Sequence, residues 1–163
     1  MTRAPFEIVP LTEKHGRKSF ECGTTALDRY FHDQVTQDIR RRVAACFVAV
    51  DDAGLVAGYY TLAAASVALT DLPHDVARKL PRYPSVPAVR MGRLAVDGGF
   101  RGAGLGGALL VNALRRAAAA EIPAVVMLVD AKDDQAAAFY RHYGFVPFAD
   151  SPRTLFYPLA GIR

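Results

Sequence analysis

Cysteine is scarce. Cys22 and Cys46 are the only two in 163 residues, and their spacing makes neither a metal-ligand motif nor a disulfide framework. Long apolar runs are missing too. None approaches the roughly 18 residues that a membrane span needs, and MTRAPFEIVPLTEKHGRKSF at the N-terminus lacks the apolar core of a signal peptide. These absences argue against membrane-spanning and disulfide-stapled classes, and a reducing cytoplasm is the expected compartment. No repeat, linker or low-complexity tail divides the chain, so one domain over residues 1–163 is expected. With 52% hydrophobic and 22% charged residues, the chain can bury a core and is not a disordered one.

Acidic residues are sparse where basic ones gather. The net charge is +4, from 20 Lys and Arg against 16 Asp and Glu. Four acids and no Lys or Arg lie between Cys46 and Ala77. From Arg78 to Arg101 there are six basic residues against Asp97 alone, a local excess of +5 within 24 residues. Arg40, Arg41 and Arg42 form a second cluster. Such segments serve either as solvated faces or as surfaces for a polyanion.

Leu27, Tyr30, Phe31, Val35 and Ile39 recur at helical spacing. They predict an amphipathic helix over 26–42 with Thr25 as its cap and the arginines at its dipole-compatible end. Strands at 44–50 and 55–69, joined by the turn 51–54, read as a hairpin. The proline-rich stretch 70–87 allows a short helix near 74–80 before an extended crossing. A strand at 89–96, a helix at 103–120 and an apolar strand at 124–129 make a βαβ unit. A helix at 134–142 ends at Gly144, and strands at 145–148 and 154–159 follow. The class is α/β with a mixed sheet.

The most informative stretch runs from Arg90 to Leu110. A strand enters a loop with glycines at 98, 99, 102, 104, 106 and 107, and a helix begins at once. The first amides of a helix point outward with the positive end of its dipole, so an anion such as a pyrophosphate suits that place. A Walker loop needs Gly-Lys-Ser/Thr, which Gly106-Gly107-Ala108 is not. A dinucleotide fingerprint can be forced onto Gly102, Gly104 and Gly107, but no second βαβ half follows it. On its own, the glycine-rich turn also fits a tight loop in any α/β protein.

Arg101-Gly-Ala-Gly-Leu-Gly106 fits Arg/Gln-x-x-Gly-x-Gly/Ala, and there the stretch resembles the acetyl-CoA loop of GNAT N-acetyltransferases. Asp133-Asp-Gln-Ala-Ala-Ala-Phe-Tyr-Arg-His-Tyr-Gly-Phe145 is similar to that family's Asn-x-x-Ala-x-x-Phe/Leu-Tyr-x-x-x-Gly-Phe, with Asp133 where Asn is usual. Phe20-Glu-Cys-Gly23, Leu27-Asp28, Gly58-Tyr-Tyr-Thr-Leu62 and Gly92-Arg-Leu-Ala-Val-Asp97 extend the resemblance over nearly the whole chain. They resemble the acetyltransferase toxins of bacterial toxin–antitoxin pairs.

The resemblance implies the GNAT fold: a mostly antiparallel central sheet with a splayed parallel strand pair, flanked by helices. It implies acetyl-CoA as cofactor, with backbone groups of Leu94, Ala95 and Val96 pairing with pantetheine. The pyrophosphate rests on Gly102, Ala103, Gly104, Leu105, Gly106 and Gly107, with Arg101 nearby; Asp133 joins this set or serves only as a helix cap. Aminoacyl-tRNA is the implied acceptor, a ribbon-helix-helix antitoxin the implied partner, and a homodimer the implied assembly. No metal is implied.

Tyr140 matches the family tyrosine and is the candidate general acid for the leaving CoA thiolate; packing with Phe139 and Tyr143 is its alternative role. His142 is the one nearby imidazole, and no base is evident. A lysine amine (pKa ~10.4) is about one-thousandth neutral near pH 7.4, whereas an α-amine (~7.7–8.0) is roughly one-third neutral. A site without a strong base therefore suits an α-amine. Arg78, Lys79, Arg82, Arg90 and Arg93 are the candidate RNA contacts. Arg90 and Arg93 are three apart on one strand and cannot share a face if it is regular, so Arg93 is alternatively structural. A small amine or protein N-terminus is the rival acceptor, and a catalytically inert binding fold the third reading.

Overall fold

The computed structural model describes residues 6–162. In chain order the elements are β1 (Glu7–Pro10), α1 (Thr25–Arg29), α2 (Val35–Arg40), β2 (Ala45–Val50), β3 (Val56–Ala68), α3 (His74–Ala77), β4 (Ser85–Val96), α4 (Leu105–Ala119), β5 (Val126–Asp130), α5 (Asp134–His142), β6 (Val146–Phe148) and β7 (Ser151–Pro158). The strands form a sheet in the order β1-β2-β3-β4-β5-β7-β6. Pairs β1–β2, β2–β3, β5–β7 and β6–β7 are antiparallel, and β4–β5 is parallel. None of the described helices is long and apolar enough to cross a membrane.

The chain divides into two compact units. One holds the segment ending at Ala63 together with Gly92–Ala113; the other holds Ala64–Met91 and the segment from Leu114 onward. In the first, Phe31 stacks on Tyr59 at 4.3 Å between ring centroids, and Phe20 meets both rings edge-on. Val35, Val48 and Ala95 close this core. In the second, Val67, Leu72, Val86, Val126, Leu128 and Phe156 pack together. The apolar run of β5 supplies Val126 and Leu128 and an alternate position of β4 supplies Val86, as expected of a strand buried on both faces and of one buried on one.

The expected helix over 26–42 is present but broken. Tyr30–Gln34 winds as a π-helix between α1 and α2, and Arg17 donates hydrogen bonds to the Phe31 and His32 carbonyls at 2.8 and 3.1 Å. A side chain from outside the helix thus satisfies backbone groups at the widened turn. The cap position is Thr24 rather than Thr25, with no side-chain cap bond; the Asp28 carboxylate instead accepts from the Cys22 amide at 2.8 Å. The helix ends at Arg40 with Arg41 as its cap, and the next residue, Arg42, has a φ of +62°. Arg42 and Val43 amides bond back to Ile39 and Asp38 carbonyls, so an arginine fills the left-handed position where glycine is common.

β4 starts four residues before the expected strand and includes Pro87, whose carbonyl accepts from Val125. β7 starts three residues earlier than expected, and β1 was not foreseen.

Candidate active site

After β4, the chain makes a short 3-10 turn at Gly98–Phe100 that Asp97 organises. One Asp97 oxygen accepts from Gly99 at 2.9 Å and the other from Glu21 at 2.9 Å. The Gly98 amide returns a bond to the Glu21 carbonyl. Arg101 donates to the Cys22 carbonyl, so its guanidinium anchors the loop to the 20–23 segment. Asp97 was not among the sequence-derived candidates. Its place just before two glycines, where a carboxylate can bond the amide two residues on, was the local signal available.

Gly102 (φ +81°) and Gly104 (φ +75°) take left-handed backbone, and a Cβ on either would meet nothing within 4 Å. The surface of the loop at these two positions is therefore bare backbone facing open space. The first intrahelical bond of α4 runs from the Ala108 amide to the Gly104 carbonyl at 3.1 Å. The amides of Leu105, Gly106 and Gly107 precede it and lie at the positive end of a 15-residue helix. α4 seats closely on β3 because Gly58 lacks a side chain: a Cβ there would stand 2.8 Å from Leu109. A bare glycine cradle joined to unpaired helix amides fits a pyrophosphate.

β4 pairs with β5 from Ala88↔Val126 to Met91↔Val129 and then runs on to Val96. The backbone of Leu94, Ala95 and Val96 thus lies beyond the parallel pairing. Strand edges of this kind accept an extended amide-bearing ligand by backbone pairing.

Tyr140 sits on α5, 8% exposed. The helix stops in a Schellman turn: Gly144 (φ +97°) donates to the Arg141 carbonyl and Phe145 to the Tyr140 carbonyl. That turn folds the Phe145 ring onto Tyr140, 5.6 Å between centroids, while Phe139 packs edge-on to it at 5.5 Å. The Gly-Phe after the tyrosine is therefore the device that fixes the phenol. Burial, and secondarily the charge of Asp130, push the phenol up to about 12. Its hydroxyl makes no hydrogen bond among the described residues, yet no fully buried side-chain oxygen there is unpartnered. The oxygen therefore reaches the surface.

Asp133 is the N-cap of α5, its carboxylate accepting from Ala136 at 2.8 Å. His142 is exposed and lies edge-on to Tyr143. Arg78, Lys79 and Arg82 are exposed. Arg90 forms an ion pair with Asp130. The Arg93 guanidinium lies 3.4 Å from the centre of the Tyr30 ring, and the Tyr30 hydroxyl donates to Asp38 at 2.7 Å. Burial first, then this bond, raise the Tyr30 phenol, and the same bond lowers the Asp38 carboxyl. Arg93 is thus a packing cation within the first unit. Cys22 and Cys46 are buried and in no disulfide, and burial pushes the Cys46 thiol up to about 12, so Cys46 is held as an inert thiol. Among the described residues no cluster of three or more His, Cys, Asp or Glu could hold a metal.

The family model for the acetyltransferase (GNAT) domain matches residues 42–147. "Probable toxin TacT" of Sinorhizobium fredii is 32% identical over 96% of this chain and 92% of its own length. A "tRNA-acetylating toxin" of Mycobacterium tuberculosis is 40% identical over 78% of this chain and 76% of its own. Among solved structures, AtaT complexed with acetyl-methionyl-tRNAfMet superposes with a TM-score of 0.86 at 27% identity, covering 94% of each chain. AtaTR bound with AcCoA gives 0.83 at 26%, covering 97% and 96%. Matched by the family model over residues 42–147 and by a relative along nearly its whole length, the chain belongs to the GNAT N-acetyltransferases.

Proposed function

We propose that this protein is the toxin of a toxin–antitoxin pair. It moves the acetyl group of acetyl-CoA to the α-amine of aminoacyl-tRNA and so blocks translation. The observation that carries this reading is similarity over 78% of the chain to a protein named as a tRNA-acetylating toxin, and over 94% of it to AtaT, solved with acetyl-methionyl-tRNAfMet. Acetyl-CoA supplies an acyl group activated as a thioester.

The residues divide the work. Amides at the start of α4 and the bare backbone of Gly102 and Gly104 hold the pyrophosphate, and the β4 edge at Leu94–Val96 aligns the pantetheine. Arg101 braces the loop through Cys22. Asp133 supports the site by capping α5. Tyr140, protonated throughout the neutral range because its phenol is pushed up to about 12, delivers a proton to the departing sulfur. Arg78, Lys79 and Arg82 contact the RNA. The matching segments from Phe20 to Asp97 support a homodimer and a ribbon-helix-helix antitoxin as the assembly.

The test incubates purified protein with labelled acetyl-CoA and bulk charged tRNA, digests the RNA and identifies the labelled product. An N-acetyl-aminoacyl product is expected from charged RNA and none from deacylated RNA. No such product, with efficient acetylation of a polyamine or peptide, overturns the reading.

A further inference from the structure

Three backbone groups of the segment before α1 are bonded to the loop that follows β4. The Glu21 amide donates to one oxygen of Asp97 at 2.9 Å. The Glu21 carbonyl accepts from the Gly98 amide at 2.8 Å. The Cys22 carbonyl accepts from the Arg101 guanidinium. The second Asp97 oxygen accepts from Gly99 at 2.9 Å, and the Asp97 amide donates to the Ala57 carbonyl on β3 at 2.8 Å. These bonds cover the stretch from Asp97 to Arg101, which leads directly into the bare glycines at 102 and 104. All of these residues lie in the first unit.

The Phe20–Gly23 segment is itself fixed. Phe20 and Cys22 are buried, and the Phe20 ring meets Phe31 and Tyr59 at 5.0 and 5.4 Å between centroids. His32 Nε2 donates to the Phe20 carbonyl at 2.7 Å, and the Cys22 amide donates to the Asp28 carboxylate at 2.8 Å. Gly23 closes the segment with a φ of +91°, and a Cβ there would stand 2.8 Å from Arg101 Nη2. A side chain at 23 would therefore push the guanidinium off its seat. A buried strut thus holds one end of a loop whose glycines, left alone, have more backbone freedom to lose than any other residue.

We propose that Phe20–Gly23 sets the pyrophosphate cradle before acetyl-CoA binds, and that Asp97 is the positioning residue that joins the two. Ordering a glycine loop at the moment of binding costs affinity, and a loop already ordered avoids that cost. Asp97 has two opposed effects on the site. A carboxylate a few residues from a diphosphate disfavours it by charge; by holding the loop, the same carboxylate favours it. Asp97→Asn separates these effects. It removes the charge, and its amide nitrogen cannot accept, so one of the two bonds from Glu21 and Gly99 is lost. This role requires acetyl-CoA as the cofactor and is independent of the acceptor.

The test reads the loop and the cofactor separately. Asp97→Asn is expected to weaken acetyl-CoA binding about tenfold by calorimetry, the scale of a hydrogen bond to a charged group. In the protein without cofactor, amide hydrogen exchange should speed up across residues 98–107 and match wild type elsewhere. With S-acetyl-pantetheine as donor, which has no pyrophosphate, turnover on charged tRNA should equal that of wild type. Gly23→Ala should reproduce the pattern, since it displaces Arg101 from the same strut. Acetyl-CoA affinity unchanged or tightened in a folded Asp97→Asn protein overturns the proposal. An equal loss with both donors also overturns it, marking a general loosening of the fold. Should Asp97→Asn fail to fold, Gly23→Ala decides by the same readings. If wild type acetylates no charged RNA, the functional reading fails, while calorimetry and exchange still decide the role of Asp97.

Discussion

A phenol withdrawn from water keeps its proton, and in Tyr140 this decides what pH can do. The folded state holds the neutral form up to about pH 12, against about 10 for a solvated tyrosine. The resulting stability is fully present below pH 10 and is lost as pH rises from 10 through 12. Turnover should therefore show no alkaline limb from Tyr140 below pH 10, and an acidic limb set by the acceptor amine; a pH–rate profile checks both. Tyr140→Phe keeps the ring against Phe139 and Phe145 but cannot donate. We expect turnover to fall by about 10²–10⁴-fold with acetyl-CoA affinity nearly unchanged by calorimetry. Near-normal turnover would move the role elsewhere. Arg93 is a different kind of residue. Stacked on Tyr30, it should contribute about 0.5–2 kcal/mol through its cation–π contact. Arg93→Met should lower the urea midpoint by a corresponding amount.

The stop of α5 shows how an element serves a site. Gly144 holds a φ of +97°, and a Cβ there would stand 3.1 Å from the Tyr157 ring. Gly144→Ala should cost about 1–2 kcal/mol from left-handed backbone alone, more with the ring contact, and should lower turnover by loosening the turn that seats Phe145 on Tyr140. A melting curve and a rate measured on the folded fraction separate these effects. This turn was legible in the sequence because all its parts are local: a periodic helix, a glycine and an aromatic within six residues. The loop glycines were legible for the same reason. Other features depend on partners far along the chain. The π-helix at Tyr30–Gln34 is tied by Arg17, 14 residues before Phe31. Asp97 reaches Glu21 across 76 residues. Asp130 is defined by Arg90, 40 residues earlier. β1 is four residues of Glu-Ile-Val-Pro, too short for a period-2 pattern to register.

Charge is a property of the whole molecule, and only part of the basic excess is available to a distant anion. Of the six basic residues from Arg78 to Arg101, Arg90 is paired with Asp130, Arg93 lies on Tyr30 and Arg101 is bonded to Cys22. Arg78, Lys79 and Arg82 are exposed on the short stretch after α3. A phosphate backbone gains affinity by releasing counterions, each contact adding about −0.7 to −0.9 to the log–log salt slope. Three contacts should therefore contribute about −2 to −3. Reversing Arg78, Lys79 and Arg82 to Glu should remove that share of the slope and abolish activity on charged tRNA, with acetyl-CoA binding intact. Arg93→Gln should leave the slope as it is, because its guanidinium already has an aromatic partner inside the fold. Filter binding of charged tRNA over a salt series checks both variants. A triple variant with the wild-type slope would place the RNA surface elsewhere, and Arg40, Arg41 and Arg42 would then be the next set to reverse.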